Sequence, residues 1–129
     1  MKKVLCILAV VSTLYACDKS ESDSTTLNGT YIGIFNRTGM DTAQVTLVFN
    51  GNHFEGHSNK TNYPAVCHGS LSQEDIHMVS FSDSCTWTAN FDWSLILSGK
   101  YNISFMPGTV RIWKTHGAVT DEYLLRQPN

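Results

Sequence analysis

Residues 43–51, AQVTLVFNG, constrain the fold of this chain more than any other stretch. Apolar Val45, Leu47 and Phe49 alternate with polar Gln44 and Thr46, a period of two that fits a half-buried strand. Asn50-Gly51 follows at once. That dipeptide tolerates the positive φ of both central positions of a tight type I′ hairpin turn. A two-residue loop there sets Phe54 opposite Leu47, apolar against apolar.

Similar signals recur at short spacing along residues 27–129, and no window shows a helical stripe. Residues 30–35 read as a strand that contains Gly33. Residues 55–58 continue the strand after the Asn-Gly turn, polar 59–62 ends it, and Pro64 opens the next segment. Residues 66–71 and 76–81 read as a hairpin joined by 72–75 and closed by Ser82-Asp83-Ser84. Residues 92–97 and 101–105 read as another hairpin. A three-residue loop through Lys100 sets its Trp93, Leu95 and Leu97 against Phe105, Ile103 and Tyr101. A two-residue loop sets them against polar residues, so the longer loop is preferred.

Met106-Pro107-Gly108-Thr109 has proline and glycine placed for a type II turn. It leads into residues 110–114, with Val110 and Ile112 inward. Residues 115–120 read as a loop. Residues 121–126 read as the last strand, Tyr123 and Leu125 on one face and Leu124 on the other. The expectation is an all-β domain of eight or nine short strands. Hairpin-length links favour a small antiparallel up-and-down barrel, whose closure removes unpaired edges. A two-sheet β-sandwich is the alternative.

The N-terminal residues carry a different message. Lys2 and Lys3 precede an apolar run over 4–14, too short for a bilayer span of ~20 residues but right for a secretory signal. Leu14-Tyr15-Ala16-Cys17 resembles a bacterial lipobox. The resemblance implies a signal peptide over residues 1–16 and a lipoprotein whose Cys17 carries acyl chains such as palmitate. Each buried methylene adds ~0.8 kcal/mol, so several chains anchor durably. Residues 18–26, DKSESDSTT, hold no apolar side chain, which predicts a disordered tether over 17–26. The membrane is then the first expected partner, and the address is the cell envelope. Acidic residues after the cysteine resemble surface-export signals of outer-membrane lipoproteins in some anaerobes. In enteric bacteria an Asp at that place resembles an inner-membrane retention signal.

The net charge of -2 offers no basic face for nucleic acid. Two cysteines remain in the domain, Cys67 and Cys85, and in an exported chain a disulfide is the default reading. Such a link adds roughly 3 kcal/mol by limiting the unfolded chain. GTYIGIF, GKYNISFMPGTVRIWK and DEYLLRQ are similar to small lipocalin-like (calycin-type) lipoprotein domains. Those pair an opening Gly-x-Tyr strand with a closing Gly-x-Tyr hairpin and a final Tyr-x-Leu strand. Tyr31 stands in the region where true lipocalins carry Gly-x-Trp.

Residues 85–93, CTWTANFDW, are the most distinctive local feature. Trp87, Phe91 and Trp93, with Tyr101 and Trp113, are the candidate ligand-binding residues, walling a barrel mouth and stacking on an apolar or sugar-like ligand. The competing expectation is that they plug the interior. Side chains alone fill small eight-stranded barrels, and large aromatics bury ~150–250 Å² each. His53 and His57 share parity on one strand. His68 and His77 fall on one face of a predicted hairpin. Neither pair shows the third ligand that zinc catalysis needs, so no metal site is expected.

HGSLS is not a nucleophile elbow and SGK lacks the rest of a phosphate loop, so neither an enzyme nor a cofactor is expected. Glu74-Asp75 and Asp121-Glu122 read as solvated charges. Asp23-Ser24-Thr25 and Asp41-Thr42-Ala43 resemble a short O-glycosylation acceptor. The expected function is a tethered binding domain for a small apolar or carbohydrate ligand. The alternative is an interaction or inhibitor module for an envelope protein, acting through loops 56–63 or 115–120. Small disulfide-bonded lipoprotein barrels that inhibit lysozyme are similar in size and layout.

Overall fold

Alternating burial along each strand curls one antiparallel sheet until its edges meet. The computed structural model describes residues 25–88 and 90–129. The lipobox, Cys17 and most of the tether lie outside the described residues. The strands are β1 (Gly29–Arg37), β2 (Ala43–Asn50), β3 (His53–Ser58), β4 (His68–Gln73), β5 (Met78–Asp83), β6 (Gly99–Met106), β7 (Thr109–His116) and β8 (Val119–Arg126). Each pairs with its sequence neighbour, and β1 pairs with β8 to close an eight-strand up-and-down barrel. Closure satisfies every edge. The sandwich alternative and a ninth strand are excluded among the described residues.

The seam between β1 and β8 is tight. A Cβ on Gly33 would lie 1.9 Å from the Leu124 carbonyl oxygen, so only glycine lets the two backbones approach there. Inside, aromatic rings touch in a continuous chain. Tyr31 meets Phe49 at 5.5 Å, Phe49 meets Phe81 at 6.4 Å and Phe81 meets Tyr101 at 5.6 Å. Tyr101 then meets Tyr123 at 6.3 Å, and Tyr123 meets Phe35 at 4.9 Å. Aromatic contacts of this kind, three edge-to-face and two tilted, add about 0.5–1.5 kcal/mol each beyond area burial. The interior is thus occupied by the protein's own rings, as in other small barrels.

Several expected registers shift. The β2–β3 turn is Gly51-Asn52, with Phe49 opposite Phe54 in place of Leu47. Gly51 alone has positive φ there, at 60°, the pattern of a type II′ turn instead of I′. The β4–β5 link is 74–77, not 72–75, because Leu71 pairs with Phe81 inside the barrel. Residues 115–120 are mostly strand, with β7 and β8 turning at Gly117-Ala118. The Pro107-Gly108 turn and the inward Val110, Ile112, Tyr123 and Leu125 are as expected.

The largest correction concerns residues 92–97. They form no hairpin with 101–105. The Asp92 carboxylate accepts the Ser94 N–H at 2.9 Å and starts a short 3-10 turn, Trp93–Leu95. Leu95 and Leu97 are buried, so the period of two is real. Their backbone partner is Ala65, not β6: Ala65 N–H donates to the Leu95 carbonyl, and Leu97 N–H to the Ala65 carbonyl, each at 3.0 Å.

Candidate functional site

The links at the two barrel ends differ in length. The chain enters below β1, where residues 25–28 run beside the two-residue turns 51–52 and 107–108 and the turn 74–77. There Leu27 is buried, its N–H donates to Gln73 Oε1 at 3.4 Å, and Gln73 Nε2 donates to the Thr25 carbonyl at 2.5 Å. The opposite end carries the long links 59–67 and 84–98.

Those two links form a roof held by three fasteners. The first is the Ala65–Ile96 bridge. The second is the disulfide Cys67–Cys85, which joins one link to the other with a Cα separation of 6.3 Å. The third is ionic. Arg37, the last residue of β1, grips Asp121 through two bonds, Nε to Oδ1 at 2.6 Å and Nη2 to Oδ2 at 2.7 Å. Its Nη1 donates to Asp92 Oδ2 at 2.8 Å and its Nη2 to Ser94 Oγ at 3.1 Å. His116 Nε2 lies 3.3 Å from Asp121 Oδ2. Bidentate Arg–carboxylate geometry is among the stronger ionic contacts.

Asp121 is only 1 % exposed, which corrects its expected place among solvated charges. The hydrogen bonds that Arg37 donates to Asp121 raise its pKa further, against the cost of burial. Two bonds from Ser94, followed by the charge of Arg37, hold the Asp92 carboxyl below its ordinary range. Lys114 lies beneath the same roof, its Nζ 4.7 Å from the Tyr101 ring centre and donating to the Ser98 carbonyl at 3.3 Å. Burial lowers its pKa. Among the described residues no buried side-chain nitrogen or oxygen lacks a partner.

Three of the five candidate aromatics gather on this roof. Trp87 meets Phe91 edge-on at 5.7 Å, and Phe91 lies nearly parallel to Trp93, 6.2 Å away at 28°. Trp87 Nε1 donates to Asp83 Oδ2 at 2.7 Å, which pins the string's first ring to the end of β5. Trp93 is 58 % exposed. The other two lie elsewhere. Tyr101 is part of the interior, and its burial raises its pKa. Trp113 is on the outer wall of β7, with the Arg111 guanidinium 4.1 Å over its ring and Arg111 paired in turn with Glu122.

The histidines also separate. His53 and His57 share the outer face of β3, whereas His77 lies in the β4–β5 turn, away from His68 at the start of β4. Ligand atoms of Cys67, His68 and Cys85 lie within 4.8 Å of one another, yet the two sulfurs are bonded together. A metal needs them as thiolates.

Sequence reasoning missed the Arg37–Asp121 clamp, although parity carried the signal. Arg37 follows Tyr31 and Phe35 at even spacing, and Asp121 precedes Tyr123 and Leu125 in the same way, so both charges fall on inward positions. The comparisons leave the reading to this geometry: no family model, no curated protein and no solved structure matches the chain.

Proposed function

We propose that this protein is a bacterial envelope lipoprotein, lipocalin-like in its barrel, that binds a sugar-like ligand on its roof. Acylated Cys17 and the tether over residues 17–26 hold the barrel at the membrane, with the outer membrane as the address. The domain works by contact, without turnover. The observation that carries this reading is the near-parallel Phe91–Trp93 pair with Trp93 exposed, on a link secured at both ends. The C–H groups of a sugar ring are weakly positive and suit the negative face of an indole.

Two placements support the reading. Thr25 at the end of the tether and Leu27 at the start of the domain are bound at the end opposite the roof, so a membrane-held chain presents the aromatic string outward. Interior rings already fill the space that an apolar ligand would need, which moves recognition from the barrel mouth to its outer surface.

Titration of the full chain in detergent with soluble peptidoglycan fragments and neutral oligosaccharides, read by tryptophan emission, tests the reading. A saturable change is expected. Losing one aromatic contact of about 0.5–1.5 kcal/mol lowers affinity by up to about tenfold, so Trp93→Ala weakens binding while Trp113→Ala leaves it unchanged. Absence of any saturable response across the panel overturns the sugar reading.

A second reading is a protein-contact module of the envelope. Met40, in the 38–42 link at the roof end, is 53 % exposed and places another apolar group on the same end as Trp93. Crosslinking from the 38–42 link to a defined envelope protein, lost in a Met40→Asp/Trp93→Asp variant, distinguishes it from sugar binding.

A further inference from the structure

The outer wall carries a second constellation, remote from the aromatic string in sequence and formed by other strands. His53 and Glu55 alternate on β3 and both point outward. His68 opens β4 directly across from Glu55. The neighbouring pair is hydrogen-bonded, Gly56 N–H to the Cys67 carbonyl at 2.8 Å, which makes Glu55–His68 a non-hydrogen-bonded pair. Side chains of such pairs stand closest, with Cβ atoms about 4.5–5.5 Å apart. His53 is diagonal to His68 across the same two strands.

All three residues line one cavity of about 330 Å³, walled on the β2 side by Val48 and Asn50. All three are exposed, and none makes a side-chain hydrogen bond or ion pair among the described residues. Two imidazoles and a carboxylate thus share one groove without committed partners. Imidazole suits zinc, copper and nickel ions, and zinc also takes carboxylate oxygen. Three protein ligands leave a fourth position for water or another donor. The His68 ring now lies beside the Cys67 and Cys85 sulfurs, so gathering the three ligand atoms requires rotamer changes of these exposed side chains.

We propose that His53, Glu55 and His68 form a binding site for a divalent transition ion of the zinc class on the barrel wall. The sequence hid this set because its members are spread over two strands, and the carboxylate, not a third histidine, completes it. The site shares no residue with the aromatic string.

Calorimetric titration of the full, oxidised chain with Zn²⁺ tests the proposal, with the His53→Ala/His68→Ala variant titrated alongside. One saturable equivalent is expected in the parent and is lost in the variant. Glu55→Gln should weaken binding by at least about tenfold, since even outer-shell partners of a metal contribute that much. Near-UV circular dichroism of the aromatic interior establishes that each variant is folded. Superimposable isotherms for parent and double variant overturn the proposal. So does zinc binding that appears only after reduction of Cys67–Cys85, which assigns the ion to the two thiolates.

Discussion

At the tether end, β2–β3 and β6–β7 close in two-residue turns and β4–β5 in the short turn 74–77. At the roof end, residues 59–67, 84–88 and 90–98 hold almost no regular structure. Short turns are stabilised locally, by residues such as Gly51 that fit the backbone angle. Long links must be held by groups far away in the chain. The roof accordingly concentrates the disulfide, the Ala65–Ile96 bridge and the Arg37 clamp, each joining segments remote in sequence. Exposed aromatics then sit on a surface that is irregular yet tied down, the usual place for recognition on a rigid scaffold.

The strongest way to break this contrast is Arg37→Met. The change keeps much of the side-chain volume but leaves Asp121 buried, with His116 at 3.3 Å as its remaining side-chain partner. Breaking one side of a buried ion pair costs about 3–5 kcal/mol. Urea unfolding followed by far-UV circular dichroism should show a loss of that order. A loss below about 1 kcal/mol, the scale of an exposed pair, means that the clamp does not hold the roof.

Second in size is the disulfide. Replacing Cys67 and Cys85 by Ser should cost about 3 kcal/mol, as expected for closing a link of this length. The comparison of the ends adds a spatial expectation. Hydrogen exchange should quicken first in residues 59–67 and 84–98, while the amides of β6 and β7 beside the Pro107-Gly108 turn keep their protection. Uniform quickening over both ends would show that the roof and barrel open as one unit.

The same contrast explains what could be read in advance. Strands with local turn partners were legible: β2 with its alternation, β7 with inward Val110 and Ile112, β8 with Tyr123 and Leu125. The Pro107-Gly108 turn and the pairing of Cys67 with Cys85 were equally plain. Residues 92–97 were misread because Leu95 and Leu97 show strand-like alternation, while their partner, Ala65, is some thirty residues upstream. No local rule favours that pairing over the adjacent 101–105. For the candidate site, Trp87, Phe91 and Trp93 stood out because they cluster in sequence. Tyr101 and Trp113 did not join them, since strand parity sends Tyr101 inward and Trp113 outward.

The smallest expected effect isolates one bond of the roof. Asp92 is held below the ordinary carboxylate range, chiefly by the side-chain and backbone bonds from Ser94 and then by Arg37. A depressed folded pKa means that the unfolded chain takes up this proton first on acidification. Its contribution is therefore complete above the ordinary Asp value of ~3.9 and fades as pH falls through the lower, folded value. The side chain is 57 % exposed, so solvent screens the ion pair and the effect on total stability is slight. It should instead appear locally. Trp93 adjoins Asp92, and its emission should shift in that acid window while the far-UV signal of the barrel stays constant. Asp92→Asn should remove the acid step and show the altered emission already at neutral pH. An identical acid step in the variant assigns the titration to another carboxylate and removes Asp92 from the clamp, leaving Asp121 and Ser94 to hold Arg37.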